Sequence, residues 1–330
     1  MPRLSILIPY LGQISSFETT LASVLQNRPG SCQIMVAHRG DYQDPWNLGD
    51  EVEFLAQRSD ATLLDLVNAG LHEARAEVFH VLTAGTEVYD GWTIPVLSHF
   101  AYPRVGAVAP LLLDCQDTNR VLARGLMLSR HGDRVVVDQQ SPIDPARPTR
   151  ATTNQLIQGP LLAAAFYRTD ALLDLGGFDT QLGSDFADVD IAAMLQTVGY
   201  RCVHEPECRL LSPKLSSVPW SMTTGRQAER LYWRHLAQAG KLARITRPVT
   251  ALRRAFFQPH VTGGYRSLVG RIGAWAEHAR YQKFHDSLAL LRNKIQKELH
   301  ELDPYHTLST DDRDHAQSDR SRSVGDRRAA

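Results

Sequence analysis

Apolar positions in the first eighty residues follow two alternating rhythms. Leu4-Ser5-Ile6-Leu7-Ile8 is a short apolar run closed by Pro9, the pattern of a strand buried on both faces of a parallel sheet. Phe17, Leu21, Val24 and Leu25 recur at helical spacing and predict a helix to Gln26, with Ser15 or Ser16 as its N-cap. Gln33 to Ala37 predicts a second strand, Thr62 to Ala76 a helix and Val78 to Leu82 a third strand. Strands alternating with helices through short links imply an α/β fold, with helices on the faces of a mostly parallel sheet. Ligands bind such sheets beyond the carboxyl ends of the strands, where Pro9, His38-Arg39 and Thr83 to Thr86 fall.

The middle of the chain is less regular. Val105 to Leu113 predicts a strand, and residues 114–155 read as a hairpin and a long loop. Leu161 to Tyr167 reads as a strand, followed by a helix over Thr169 to Leu175 that Gly176-Gly177 ends. Ala187 to Val198 reads as a helix and Tyr200 to His204 as a short strand. Beyond Ser217 the pattern is helical only, with an amphipathic stretch over Arg226 to Ala239. Leu268 to Leu302 forms one long helix or two broken ones. From Pro304 onward no apolar period remains, which predicts a disordered tail. The expected division is a domain over 1–216, a helical extension over 217–303 and a tail over 304–330.

Composition adds few constraints. The 330 residues are 43% hydrophobic and 22% charged, with zero formal net charge, so no global bias towards nucleic acid is expected. Four cysteines, Cys32, Cys115, Cys202 and Cys208, form no Cys-x-x-Cys pair. With no signal-peptide core and no apolar run of spanning length, the expected location is cytoplasmic. One stretch departs from neutrality. Over 241–283, Arg244, Arg247, Arg253, Arg254, Arg266, Arg271 and Arg280 interleave with apolar residues, and Glu277 is the only acid. That composition suits peripheral contact with an anionic inner membrane surface, or a helix packed on the domain with its basic face in water.

Four segments in order resemble the inverting family-two glycosyltransferases of the GT-A fold. They are Leu4 to Tyr10, Asn68-Ala69-Gly70-Leu71 with Ala74-Arg75, Gly176-Gly177-Phe178-Asp179, and Ala187-Asp188-Val189-Asp190-Ile191 with Gly199-Tyr200-Arg201 and Glu205-Pro206-Glu207. The resemblance implies a GT-A-like sheet and transfer of a sugar, with inversion, from a nucleotide-diphospho-sugar to a glycan or lipid-linked acceptor. Such chemistry needs a carboxylate base and positive charge on the departing diphosphate. By family position Asp188 is the base, although Asp188 or Asp185 serves equally as a helix cap. Pro9, Tyr10, His38, Arg39, Asn68, Thr83 and Gly85 fall on the donor side. Gly177, Asp179 and Asp190 fall on the acceptor side.

The chain departs from that family where the metal is held. Thr83-Ala84-Gly85 stands where the family carries Asp-x-Asp, His38-Arg39 follows the second strand where paired aspartates are usual, and no histidine lies over Leu211 to Lys214. Val67 and Ala187 replace a family Arg and Glu. A hard divalent cation wants several charged oxygen ligands. The expectation is therefore no bound metal and no other cofactor, with Arg39 or Lys214 supplying charge to the diphosphate. A catalytically degenerate binding or scaffold module is the alternative reading.

Overall fold

The computed structural model describes residues 2–129, 131–139, 141–142, 157–215, 221–236, 253, 264–275 and 277–302. Five elements build the first half of its sheet: β1 (Leu4–Pro9), β2 (Cys32–His38), β3 (Glu53–Ala56), β4 (Val78–Leu82) and β5 (Val105–Asp114). They are joined by β6 (Asp117–Ala123), β9 (Ser141–Pro142), β10 (Ala164–Arg168) and β11 (Arg201–Ser212), while β7 (Leu126–Leu128) and β8 (Arg134–Val136) form a separate hairpin. The main sheet runs β3-β2-β1-β4-β10-β5-β6-β9, with β11 added alongside β5. β1 pairs in parallel with β2 and β4, and β11 in parallel with β5. β10 runs antiparallel to both β4 and β5. The sheet is thus mixed but mostly parallel, and the predicted α/β class holds.

Burial follows from the runs. β1, β4 and β5 are buried along their whole lengths, as sheet strands covered on both faces must be. One face is covered by α1 (Ile14–Gln26) and α3 (Ile94–His99), through Phe17, Leu21, Val24 and Val96. The other is covered by α2 (Leu63–Glu73), α4 (Thr169–Asp174) and α5 (Ala187–Val198). The helices α6 (Met222–His235), α7 (Gly264–Trp275) and α8 (His278–Leu302) follow. α8 sets Leu288, Ile295 and Leu299 into the same core as α5. The described part of Leu268 to Leu302 is therefore two helices.

Some local expectations change. α1 begins at Ile14 after Gln13 with no side-chain cap, so Ser15 and Ser16 lie inside its first turn. α2 instead starts with a full capping box, Thr62 and Asp65 each bonding the other's backbone N–H. β3 escaped the sequence reading because it is a four-residue edge strand, part-buried and mixed in polarity. The tail from Pro304 and most of 237–263 lie outside the described residues.

Candidate functional site

The carboxyl ends of β1, β2 and β4 carry most of the residues expected on the donor side. Pro9 ends β1, and Tyr10 continues it with its N–H donating to the Ala37 carbonyl. The Tyr10 ring packs edge-on against Phe17 and Tyr42 at centroid distances of 5.0 and 5.2 Å. Tyr42 in turn stacks on Phe54 of β3. His38 ends β2, buried, its Nδ1 accepting from the N–H groups of Gly40 and Tyr42 at 3.2 and 3.4 Å. Burial lowers its pKa, against an opposing pull from Asp41. Arg39 donates from Nε to the Ala61 carbonyl at 2.7 Å, so its head clamps the approach to α2.

The Thr83-Ala84-Gly85 loop is sewn to three neighbours. The Thr83 N–H donates to the Ala163 carbonyl, and the Gly85 N–H to the Ser16 carbonyl and the Thr20 hydroxyl. Glu87 bridges to Leu211 at the end of β11. Gly85 has φ +90°, and a β-carbon there would lie 3.0 Å from the Pro213 ring. This backbone therefore favours glycine over the family's aspartate on two counts. Lys214, the residue after Pro213, is exposed.

Beside this loop lies the head of α5. Asp188 is only 1% exposed and meets Arg134 of β8 in a bidentate pair, Nε to Oδ1 at 2.8 Å and Nη2 to Oδ2 at 2.6 Å. Backbone N–H groups of Val189 and Leu162 add one bond to each oxygen, at 2.8 and 3.3 Å. Leu162 precedes Ala163, the partner of Thr83, so two adjacent residues link the loop to the helix head. Sequence spacing could not have found Arg134, because its hairpin stands 54 residues upstream.

The remaining motif residues gather on the helical face. Asn68 clips the Gly-Gly-Phe-Asp turn, its amide donating to the Phe178 carbonyl and accepting from the Phe178 N–H, both at 2.8 Å. Asn68, expected on the donor side, is thus held at the turn whose Gly177 and Asp179 are expected on the acceptor side. Gly177 sits there at φ +74°. Asp179 caps the following 3-10 turn and pairs with Arg234 of α6 at 2.5 Å. Asp190 is fully buried between Arg234 and His235, the latter at 2.6 Å. A cavity of about 350 Å³ lies between this turn, α6 and α8, lined by Gly177, Arg230, Arg234, Arg280, Tyr281 and Phe284 among others. Arg271, one of the arginines of the basic stretch over 241–283, is buried against Glu229 of α6 at 3.0 Å.

No family model matches the chain. The arrangement defines a GT-A-like fold, the fold of nucleotide-sugar glycosyltransferases. GalNAc-T7, solved with UDP, GalNAc and Mn2+, superposes with a TM-score of 0.58 at 14% identity, over 91% of this chain and 58% of that one. The Pyrobaculum calidifontis mannosyltransferase PcManGT, solved with GDP-Man and Mn2+, gives a TM-score of 0.46 at 17% identity, over 94% and 83%. In sequence the chain is 28% identical over 139 residues to the pre-mycofactocin glycosyltransferase of Mycobacterium tuberculosis, 42% of this chain and 27% of that protein. It therefore spans about a quarter of that curated relative's length.

The GalNAc-T7 neighbour corrects one expectation. The absence of any cofactor does not stand, because that structure of the same fold holds Mn2+ with its nucleotide. In this chain the loop supplies a hydroxyl and a glycine, and among the described residues no group of three or more His, Cys, Asp or Glu side chains is placed to hold a metal. The described residues around this loop do not fit a divalent cation's usual oxygen set. No described helix is long and apolar enough to cross a membrane.

Proposed function

We propose that the chain is a glycosyltransferase moving a sugar, with inversion, from a nucleotide-diphospho-sugar to a hydroxyl of a glycan or lipid-linked acceptor. The observation that carries this reading is the meeting of the Thr83–Gly85 loop, Pro213-Lys214 and the head of α5 at the carboxyl ends of the strands. Open α/β sheets bind ligands at that end. The likeness to the mycobacterial glycosyltransferase supports the reaction class, and the UDP of GalNAc-T7 supports a nucleoside diphosphate as leaving group. A carboxylate at the head of α5 takes the acceptor's proton; Asp188 stands at the family position, with Asp185 three residues before it. Exposed Lys214, next to the residue packed on Gly85, supplies charge to the diphosphate. Gly177, Asp179 and Asp190 shape the acceptor side, and the basic composition over 241–283 suits peripheral contact with an anionic membrane surface. In this reading 1–216 is the transferase domain and 217–303 its helical extension.

A second reading, a degenerate module that binds without turnover, is favoured by Thr83 and Gly85 in the loop and by the bidentate engagement of Asp188. Calorimetry with UDP-glucose and GDP-mannose in the presence of manganese tests the donor step common to both. Saturable binding of one donor is expected, and Lys214→Ala should weaken it roughly tenfold, the loss of one charge-assisted contact. Release of free nucleotide from the bound donor then separates enzyme from module. A chain that binds neither donor is not a glycosyltransferase.

A further inference from the structure

We propose that Asp185, rather than Asp188, is the general base of this transfer, an inference that rests on the glycosyltransferase reading above. A general base must bring a free lone pair within hydrogen-bond reach, about 2.6–3.2 Å, of the proton it removes. Asp188 has none to offer. Its two oxygens already accept from Arg134 Nε, Arg134 Nη2, the Val189 N–H and the Leu162 N–H, and the residue is 1% exposed. Breaking a buried pair of this kind is costly, so the Arg134–Asp188 pair is a fixed part of the helix head.

Asp185 differs in each respect. It is partly exposed, and among the described residues its carboxylate has no hydrogen-bond or ion-pair partner. It precedes α5 by two residues, at the same end of the sheet as the Thr83 loop, and the helix that follows has no side-chain cap. Asp185 therefore leaves the capping role unfilled. Burial raises its pKa, Arg134 opposes that shift and Asp188 adds to it. The result is a carboxylate more basic than an ordinary surface aspartate and free to face a ligand.

The step balances without further reactants. The acceptor hydroxyl oxygen bonds to the anomeric carbon of the sugar as the bond from that carbon to the diphosphate oxygen breaks. The bonding pair leaves with the nucleoside diphosphate, and the hydroxyl proton passes to Asp185.

The full chain is assayed for release of UDP or GDP from UDP-glucose and GDP-mannose, with water as acceptor and manganese present. Donor affinity and melting temperature are measured alongside. Asp185→Asn should lower release by about 10²- to 10⁴-fold, with donor affinity and melting unchanged. Asp185→Glu keeps the carboxylate and should retain measurable release, which separates loss of the base from misfolding. Wild-type release in Asp185→Asn overturns the assignment; if a folded Asp188→Asn is then dead, the base is Asp188 and the transferase reading survives. A wild-type chain that releases no nucleotide from either donor overturns the transferase reading itself.

Discussion

A β-carbon at Gly177 would lie 2.7 Å from the Asn68 Oδ1, the same oxygen that accepts from the Phe178 N–H. At φ +74° a side chain is also strained in its own backbone. Gly177→Ala should therefore combine strain with displacement of the Asn68 clip, a loss of about 1–3 kcal/mol in urea denaturation. Wild-type stability in that variant would mean the turn relaxes freely. The Gly-Gly pair was readable in the sequence as the end of a helix. Its partner on α2 was not, because Asn68 lies 110 residues away and its motif pointed to the donor. Asp188 repeats the lesson. Its place at a helix head was legible from local pattern, whereas the arginine that occupies it comes from another layer of the fold.

At the scale of elements, the crossing of α6 and α7 depends on two small residues. A β-carbon at Gly225 would stand 2.2 Å from the Ser267 carbonyl oxygen, and one at Gly270 would stand 1.8 Å from that of Met222. The helices touch backbone to backbone, and Glu229 pairs with Arg271 and accepts from the Trp275 indole just beyond. Gly225→Ala should force the helices apart and cost about 1–3 kcal/mol, read as a lower urea midpoint with the slope retained. The helical periods, the buried runs of β1 and β4, and α5 to the residue were legible because each buries a continuous face. The direction of β10 was not, since a run such as Ala164–Arg168 has the same polarity pattern whichever way it pairs. β11 extends to Ser212, well past the expected His204, because its pairing with β5 survives a register shift between Glu205 and Arg209.

For the molecule as a whole, zero net charge and average composition left stability against pH undetermined, and two core histidines now decide its acid side. His80 lies in the middle of β4, fully buried, bonded through Nδ1 to the Ala165 carbonyl at 2.9 Å and stacked on Phe166 at 3.6 Å. His204 of β11 makes the equivalent bond to the Ala109 carbonyl at 3.0 Å. Burial holds both rings neutral, lowering their pKa values from 6.5 to about 3 and about 4. Between those values and 6.5 the unfolded chain binds more protons than the folded one. The folded state is then fully favoured above the ordinary histidine pKa and weakens as pH falls through it. Taking the chain from about pH 7 to about pH 5 should cost about 2 kcal/mol per histidine, or about 4 kcal/mol together. Urea midpoints at the two pH values measure the sum. His204→Asn should remove about 2 kcal/mol of the pH-dependent difference, whatever its effect on stability at neutral pH, because it deletes one of the two proton-binding sites in the middle of the sheet, beside the smaller contribution of His38. An unchanged difference in that variant would assign the acid sensitivity to the carboxylates and exclude the buried ring.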